Sequence, residues 1–406
     1  MTRPVGDRWR ALALIATAEL FVMALWFSAS AVAPELAEMW GLTSVETAWL
    51  TNAVQLGFVV GALGSALLTL SDTVRPRHLV AASALVGATA TATLAIAVDG
   101  ALPAIVLRFV TGVALAGVYP PGMKLLAGWF QRGRGLAIGT LVGALTVGSA
   151  LPHLLRAVGG VGQPRTVLLG AAALATVGAL LALFVEPGPY QSPAAPFDPL
   201  AVRRLLGNRS ALLANVGYFG HMWELYAVWT WVPVYLATSV DAGGSPSVDP
   251  SLVSLVAFAT IAVGGAGAIL AGLAADRLGR TTLTSASMVV SGGCCVAAGF
   301  LFGTSLTLLV PFVLVWGFTI VADSAQFSAA LSELAEGSYV GTALTLQTAV
   351  GFLLTIGSIQ LVPVVAAAFG WRWAFAPLAV GPLVGTLAML RLRTLPDAEK
   401  LAGGRG

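Results

Sequence analysis

Twelve apolar runs of about 20 residues make up most of this chain. Lipid offers a backbone no hydrogen-bond partner, so a run that crosses it must be a helix or a strand of a closed barrel. Runs of about 20 residues fit helices; a barrel strand needs only about ten. The first six lie near 10–33, 46–70, 78–98, 102–125, 135–157 and 165–185, and the second six near 210–236, 252–275, 283–303, 306–328, 340–368 and 373–391. Only 10% of residues are charged, against roughly a quarter in a soluble domain. A large soluble core is therefore excluded, and an all-α polytopic membrane protein is expected. The net charge of +3 gives no footprint for nucleic acid. Cys294 and Cys295 are adjacent within an apolar run, so they form no disulfide framework and read as packing residues.

Between the two sets of runs, "EPGPYQSPAAPFDPLAVRRLLGNRS" is rich in proline and polar residues and reads as a linker. The expected organisation is a six-helix unit over 1–185, a cytoplasmic linker over 186–209 and a second six-helix unit over 210–406. Lys and Arg collect on the side that holds both termini and the linker, whereas Arg156, Arg165 and Arg372 fall on the other side with acids such as Glu35. By the positive-inside rule both termini are cytoplasmic, and a bacterial inner membrane is the expected location. "SAVA" before Pro34 resembles a signal cleavage site. The run preceding it is too long for a signal's apolar core and contains Glu19, so the first span is expected to be retained.

Few charges lie inside the runs: Glu19 in span 1, Arg108 in span 4, Glu224 in span 7 and Asp323 in span 10. Insertion scales assign roughly 2.5–3.5 kcal/mol to each ionised group at mid-membrane, so four unpaired charges would cost on the order of 10 kcal/mol. They must face water, one another or a ligand. "AELFVMALW" (18–26) and "WELYAVWTW" (223–231) share Glu-Leu-aromatic-x4-Trp, and Glu224 follows Glu19 by 205 residues. In a continuous helix each Glu shares a face with the Trp seven residues on, so Glu19 pairs with Trp26 and Glu224 with Trp231, while His221 lies one turn before Glu224. A carboxylate in a narrow, partly dry cavity can load and release a proton. These acids therefore read as proton or substrate sites, with helix-to-helix hydrogen bonding as the competing role. Arg108 is a candidate for holding a substrate anion, pairing with an acid or tying backbone carbonyls. Tyr119 is a further cavity candidate. Asn52, Gln55, Asn215, Gln326 and Gln347 are polar contacts or ties between helices.

After span 8 the chain reads "GLAADRLGR" (272–280), and after span 2 "LLTLSDTVRPRH" puts Asp72 204 residues before Asp276. Two features at nearly one offset indicate an internal duplication. "GLAADRLGR", together with "RFVTGVALAGVYPPGMKLLAGWFQRGRGLAIG" (108–139), resembles the loop and helix 4 motifs of the major facilitator superfamily, over the whole chain. The resemblance implies two six-helix bundles related by a pseudo-twofold axis along the membrane normal, and a central site lined by helices 1, 4, 7 and 10. It also implies a cytoplasmic gate in which Asp276, Arg277 and Arg280 latch neighbouring helices. Asp72 is the counterpart in the first copy, where Thr73 stands at the motif's usual basic position. Some features resemble the nitrate/nitrite and cyanate permease branch, but that branch's arginines on helices 2 and 8 are missing. The helix 5 Gly-Pro signature of drug/proton antiporters is missing as well.

No phosphate-binding loop, metal-ligand spacing or nucleophile motif stands out, so neither a cofactor nor a catalytic role is expected. The reading is a secondary active transporter that moves a small solute, with organic and inorganic anions among the candidates, by alternating access with proton coupling. Its partners are the solute, protons and the lipid bilayer, with a monomer expected. A drug or metabolite efflux permease is the alternative within the family. A polytopic membrane enzyme or a non-transporting sensor is the alternative outside it.

Overall fold

The computed structural model describes residues 6–68, 70, 74–130, 134–190, 207–244, 248–335 and 340–406. The chain forms two compact units, Met1–Phe197 and Asp198–Gly406, and no strand occurs among the described residues. The first unit contains α1 (Gly6–Met23), α2 (Ala33–Trp40), α3 (Ser44–Leu67), α4 (Pro76–Ala97), α5 (Ala101–Ala116), α6 (Tyr119–Ala127), α7 (Arg134–Leu155) and α8 (Pro164–Leu183). The second contains α9 (Arg209–Ala242), α10 (Pro250–Leu278), α11 (Arg280–Leu301), α12 (Leu306–Ala322), α13 (Ser324–Leu334), α14 (Val340–Phe369) and α15 (Val380–Arg393).

Among the described residues, ten helices are long and apolar enough to cross a membrane. The two expected spans outside that set are helical as well. They are the ones that carry the glutamates: α1 holds Asp7, Arg8, Arg10 and Glu19, and α9 dilutes its apolar residues with His221, Glu224 and several Trp and Tyr.

Three expected spans are interrupted in their interior, and span 12 opens with 3₁₀ turns at Trp371–Trp373 and Ala376–Ala379 before α15. The first stops at Met23, runs irregularly through Ala24–Ala29 and resumes as a 3₁₀ turn at Ser30–Val32 and then α2, with Pro34 in its first turn. Trp26 lies in that break, so the expected Glu19–Trp26 helical face does not exist. Span 4 breaks between α5 and α6. Pro120 and Pro121 have no N–H to give the carbonyls of Ala116 and Gly117, so α5 cannot run on. Span 10 breaks at Asp323, which closes α12 and opens α13.

Small residues let backbones meet, as expected of membrane helices. In the first unit α3 packs on α5, and a Cβ added at Gly112 would sit 2.1 Å from the Val54 carbonyl oxygen. In the second unit α10 packs on α12, and a Cβ at Gly317 would sit 1.8 Å from the Thr260 oxygen. Gly112 and Gly317 are 205 residues apart, the offset of the two glutamates, so the duplication extends to the helix crossings.

Candidate functional site

In the second unit α9 is bound to three neighbours by buried polar groups. Gln347 of α14 donates to Asn215 Oδ1 at 2.9 Å, and Ser328 of α13 donates to Gln347 Oε1 at 3.1 Å. Further along, His221 Nδ1 lies 2.9 Å from Asp323 Oδ1, within ion-pair reach but off the line of a hydrogen bond, and His221 Nε2 is 2.9 Å from Ser324 Oγ. The imidazole thus bridges α9 to the break in span 10. Glu224 accepts from Ser291 Oγ at 2.5 Å and from Cys295 Sγ at 3.3 Å, both on α11. The Asp323 carboxylate is close enough to act on Glu224 electrostatically. Glu224, His221 and Asp323 are all at most 1% exposed, forming one buried acid–base–acid cluster. Ser291 and Cys295 were missed as functional neighbours. Their i, i+4 spacing puts both on one face of α11, and that was the available signal. Trp231 follows Glu224 along continuous α9 and donates from Nε1 to Ile359 O at 2.9 Å.

The first unit brings its charges together differently. Glu19 is 2% exposed, and neither carboxyl oxygen has a hydrogen-bond partner among the described residues. It lines a small, mainly apolar niche with Ile15, Val80, Val118, Gly122 and Ala182, supplied by α1, α4, α6, α8 and the break in span 4. Each neighbour named for Glu19 or Glu224 belongs to that glutamate's own unit. Arg108 meets no carboxylate among the described residues. Its Nε donates to Leu50 O at 3.1 Å, Nη1 to Leu25 O at 2.9 Å and Ser28 Oγ at 3.1 Å, and Nη2 to Trp26 O. The buried guanidinium therefore ties the break in span 1 to α3. Trp26, inside that break, packs against Phe58 with ring centroids 5.1 Å apart and the planes tilted by 46°. Tyr119 opens α6 and packs, partly buried, on the apolar cluster around Ile15 and Leu125.

At the loop after α10, Arg280 is the centre of the contacts. It makes two bonds to Glu333 at the end of α13, at 2.7 and 2.6 Å, and one to Gln326 Oε1 at 2.7 Å. Asp276 is 67% exposed and only 4.0 Å from Arg280, while Arg277 is exposed. Asp72 lies outside the described residues. The sequence reading made Asp276 the latch acid, whereas the close partner is Glu333. That pairing joins segments 53 residues apart and leaves no local pattern. The segment after α15 folds onto the same place: Ala402 N donates to Glu333 Oε2 at 3.1 Å, Arg405 to the Asp276 carbonyl, and Thr281 N to Gly406 O at 3.2 Å. Glu333→Gln is therefore expected to cost about 1–2 kcal/mol, as a charge-assisted double bond is lost. Asp276→Asn should cost under about 0.5 kcal/mol, as for an exposed pair. Thermal unfolding of the two variants in detergent measures the difference, and equal losses would return the latch to Asp276.

A sequence profile of the Major Facilitator Superfamily matches residues 15–246. Over 325 residues the chain is 25% identical to the Niacin transporter NiaP of Acinetobacter baylyi, covering 70% of this chain and 69% of that one. The fold is similar to that of a bacterial homolog to the human lysosomal transporter Spinster in an inward-facing, occupied conformation, with TM-score 0.74, 14% identity, and 98% of this chain and 99% of that one covered. It is also similar to the nucleoside transporter NupG, with TM-score 0.71, 15% identity, and coverage of 94% and 99%. With the profile matched over more than half its length, this chain belongs to the Major Facilitator Superfamily and is an integral membrane transporter.

Proposed function

We propose that the chain is a secondary active transporter that moves a small solute by alternating access, coupled to protons. The observation that carries the reading is the buried cluster of Glu224, His221 and Asp323 at the break of span 10. A titratable group inside a membrane is costly and marks an ion or proton path by default. Here such groups tie a continuous helix, α9, to a helix broken at one of their own members. Gain or loss of a proton at Glu224 changes the charge of this cluster, whose His221–Asp323 contact spans elements that can move against each other at the break. The relatives named for niacin and for nucleosides support a small organic solute. Arg108 is the one Arg or Lys buried among the described residues, and it is taken up by carbonyl and hydroxyl oxygens. That favours an uncharged solute over an anion. The Lys and Arg distribution supports cytoplasmic termini.

The test is uptake into proteoliposomes of the full chain, with niacin, nicotinamide and a nucleoside set offered under an imposed pH gradient and internal pH followed by a trapped dye. One proton moving down 100 mV supplies roughly 2.3 kcal/mol, enough for about fifty-fold accumulation of a neutral solute. Accumulation that collapses with a protonophore, accompanied by a stoichiometric pH change, is the expected result. Equilibration that ignores the gradient would leave transport standing and remove the proton.

A further inference from the structure

Helix α3 meets α5 through Val54, Gly57 and Phe58, where a Cβ on Gly57 would lie 2.1 Å from Phe109 O. Turned away from that seam by roughly 100–160°, at about 100° per residue, are Asn52 and Gln55. They are three residues apart and so share one side of the helix. Both are 0% exposed, and none of their four side-chain polar atoms has a hydrogen-bond partner among the described residues. A primary amide brings two donors and two acceptor lone pairs, and groups buried this deeply are nearly always paired in native proteins. Thr51, next to Asn52 and 1% exposed, follows that rule, with its Oγ1 2.5 Å from Ser30 Oγ. Two neighbouring amides with all four polar atoms unsatisfied do nothing for packing that leucine would not do better.

We infer that Asn52 and Gln55 are a substrate-recognition pair for an uncharged solute presenting a donor beside an acceptor, as a carboxamide or a nucleobase edge does. The inference rests on the transporter reading above and adds the chemical class of the solute. A side-chain amide meets such an edge with two antiparallel hydrogen bonds, which is how Asn and Gln read adenine. The charge inventory agrees. Four of the five Arg108 donors go to Leu25, Trp26, Ser28 and Leu50, so the only buried guanidinium among the described residues is already engaged. A carboxylate in place of the carboxamide would enter without a counter-charge.

The matched probes are nicotinamide and nicotinate, which share a ring, with uracil as a second donor–acceptor edge. Equilibrium binding to the purified full chain should rank nicotinamide or uracil at least about tenfold above nicotinate. Asn52→Leu and Gln55→Leu should each weaken that binding about tenfold. In the same variants the thermal midpoint without ligand should stay level or rise, because no hydrogen bond among the described residues is removed. A midpoint that falls while affinity holds would make the two residues structural ties and overturn the inference. Nicotinate bound best, or nicotinamide and uracil bound by the leucine variants as tightly as by the native chain, would overturn it too and leave the transporter reading intact. Failure of all three probes to bind also counts against the recognition pair, while gradient-driven uptake of any other solute would keep the transporter reading.

Discussion

Arg108→Leu is expected to deprive the protein of its native fold, and Arg108→Lys to lose most of the same stability. The guanidinium reaches three carbonyl oxygens and one hydroxyl from three nitrogens, and it is 0% exposed. Two of those carbonyls, of Leu25 and Trp26, belong to the break between α1 and α2, and the third, of Leu50, belongs to α3. Without the arginine four bonds from a charged donor are lost, at about 1.5–3 kcal/mol each, although Leu25 O keeps its bond from Ser28 Oγ and Leu50 O lies within α3. The sum is several kcal/mol, a large part of the 5–15 kcal/mol that holds a typical domain together. Lysine keeps the charge but projects three donors from one point, whereas the guanidinium spreads five in a planar fork. It cannot reach the broken helix and Leu50 at once. Size-exclusion profiles and thermal unfolding in detergent should show a midpoint lowered by roughly 5–15 °C for Arg108→Lys and little monodisperse Arg108→Leu. A lysine variant with an unchanged midpoint but lost solute affinity would mean that the arginine serves the solute and not the fold.

The same residue shows how much the sequence disclosed. Lipid forces helices on any long apolar run, so the spans and the repeat were legible, and the 205-residue offset reappears in the glycine crossings at Gly112 and Gly317. The breaks were harder. Ala24–Ala29 is as apolar as the helix before it, and what stabilises its irregular backbone is an arginine more than 80 residues away. Pro120 and Pro121 did announce the break in span 4 locally, because two consecutive residues lack the N–H that α5 would need to run on, whereas single prolines such as Pro233 are carried within a helix. The candidate charges were found because any intramembrane charge is conspicuous. Their partners were not, because Ser291, Cys295 and Glu333 are unremarkable until folding brings them within 2.5–3.3 Å of Glu224 or Arg280. Two copies of one motif also came to different ends. Glu224 has hydroxyl and thiol donors, while Glu19 sits among valines, alanine and glycine with neither oxygen bonded among the described residues.

Glu224→Gln is expected to abolish accumulation driven by a pH gradient and to leave solute exchange within a few-fold of the native rate. The substitution is nearly isosteric. The amide oxygen can still accept from Ser291 Oγ, now 2.5 Å from Oε1, and the amide nitrogen replaces the oxygen 3.3 Å from Cys295 Sγ. The α9–α11 contact and the fold should therefore survive, with the thermal midpoint moving by no more than about 3 °C, the equivalent of roughly 1 kcal/mol. What glutamine cannot do is release a proton. It holds the site permanently in the form of the protonated acid, so a solute can cross in either direction but no longer in step with a proton. In proteoliposomes the accumulation ratio should drop from as much as about fifty-fold per proton at 100 mV to unity, while counterflow of labelled against unlabelled solute continues. Asp323→Asn, which weakens the His221 contact at the break of span 10 without removing Glu224, should slow both gradient-driven uptake and counterflow, because in the proposed mechanism it alters the moving element and not the proton carrier. If Glu224→Gln accumulates solute as the native protein does, the proton travels by another group, and Glu19 in its apolar niche is the next residue to substitute.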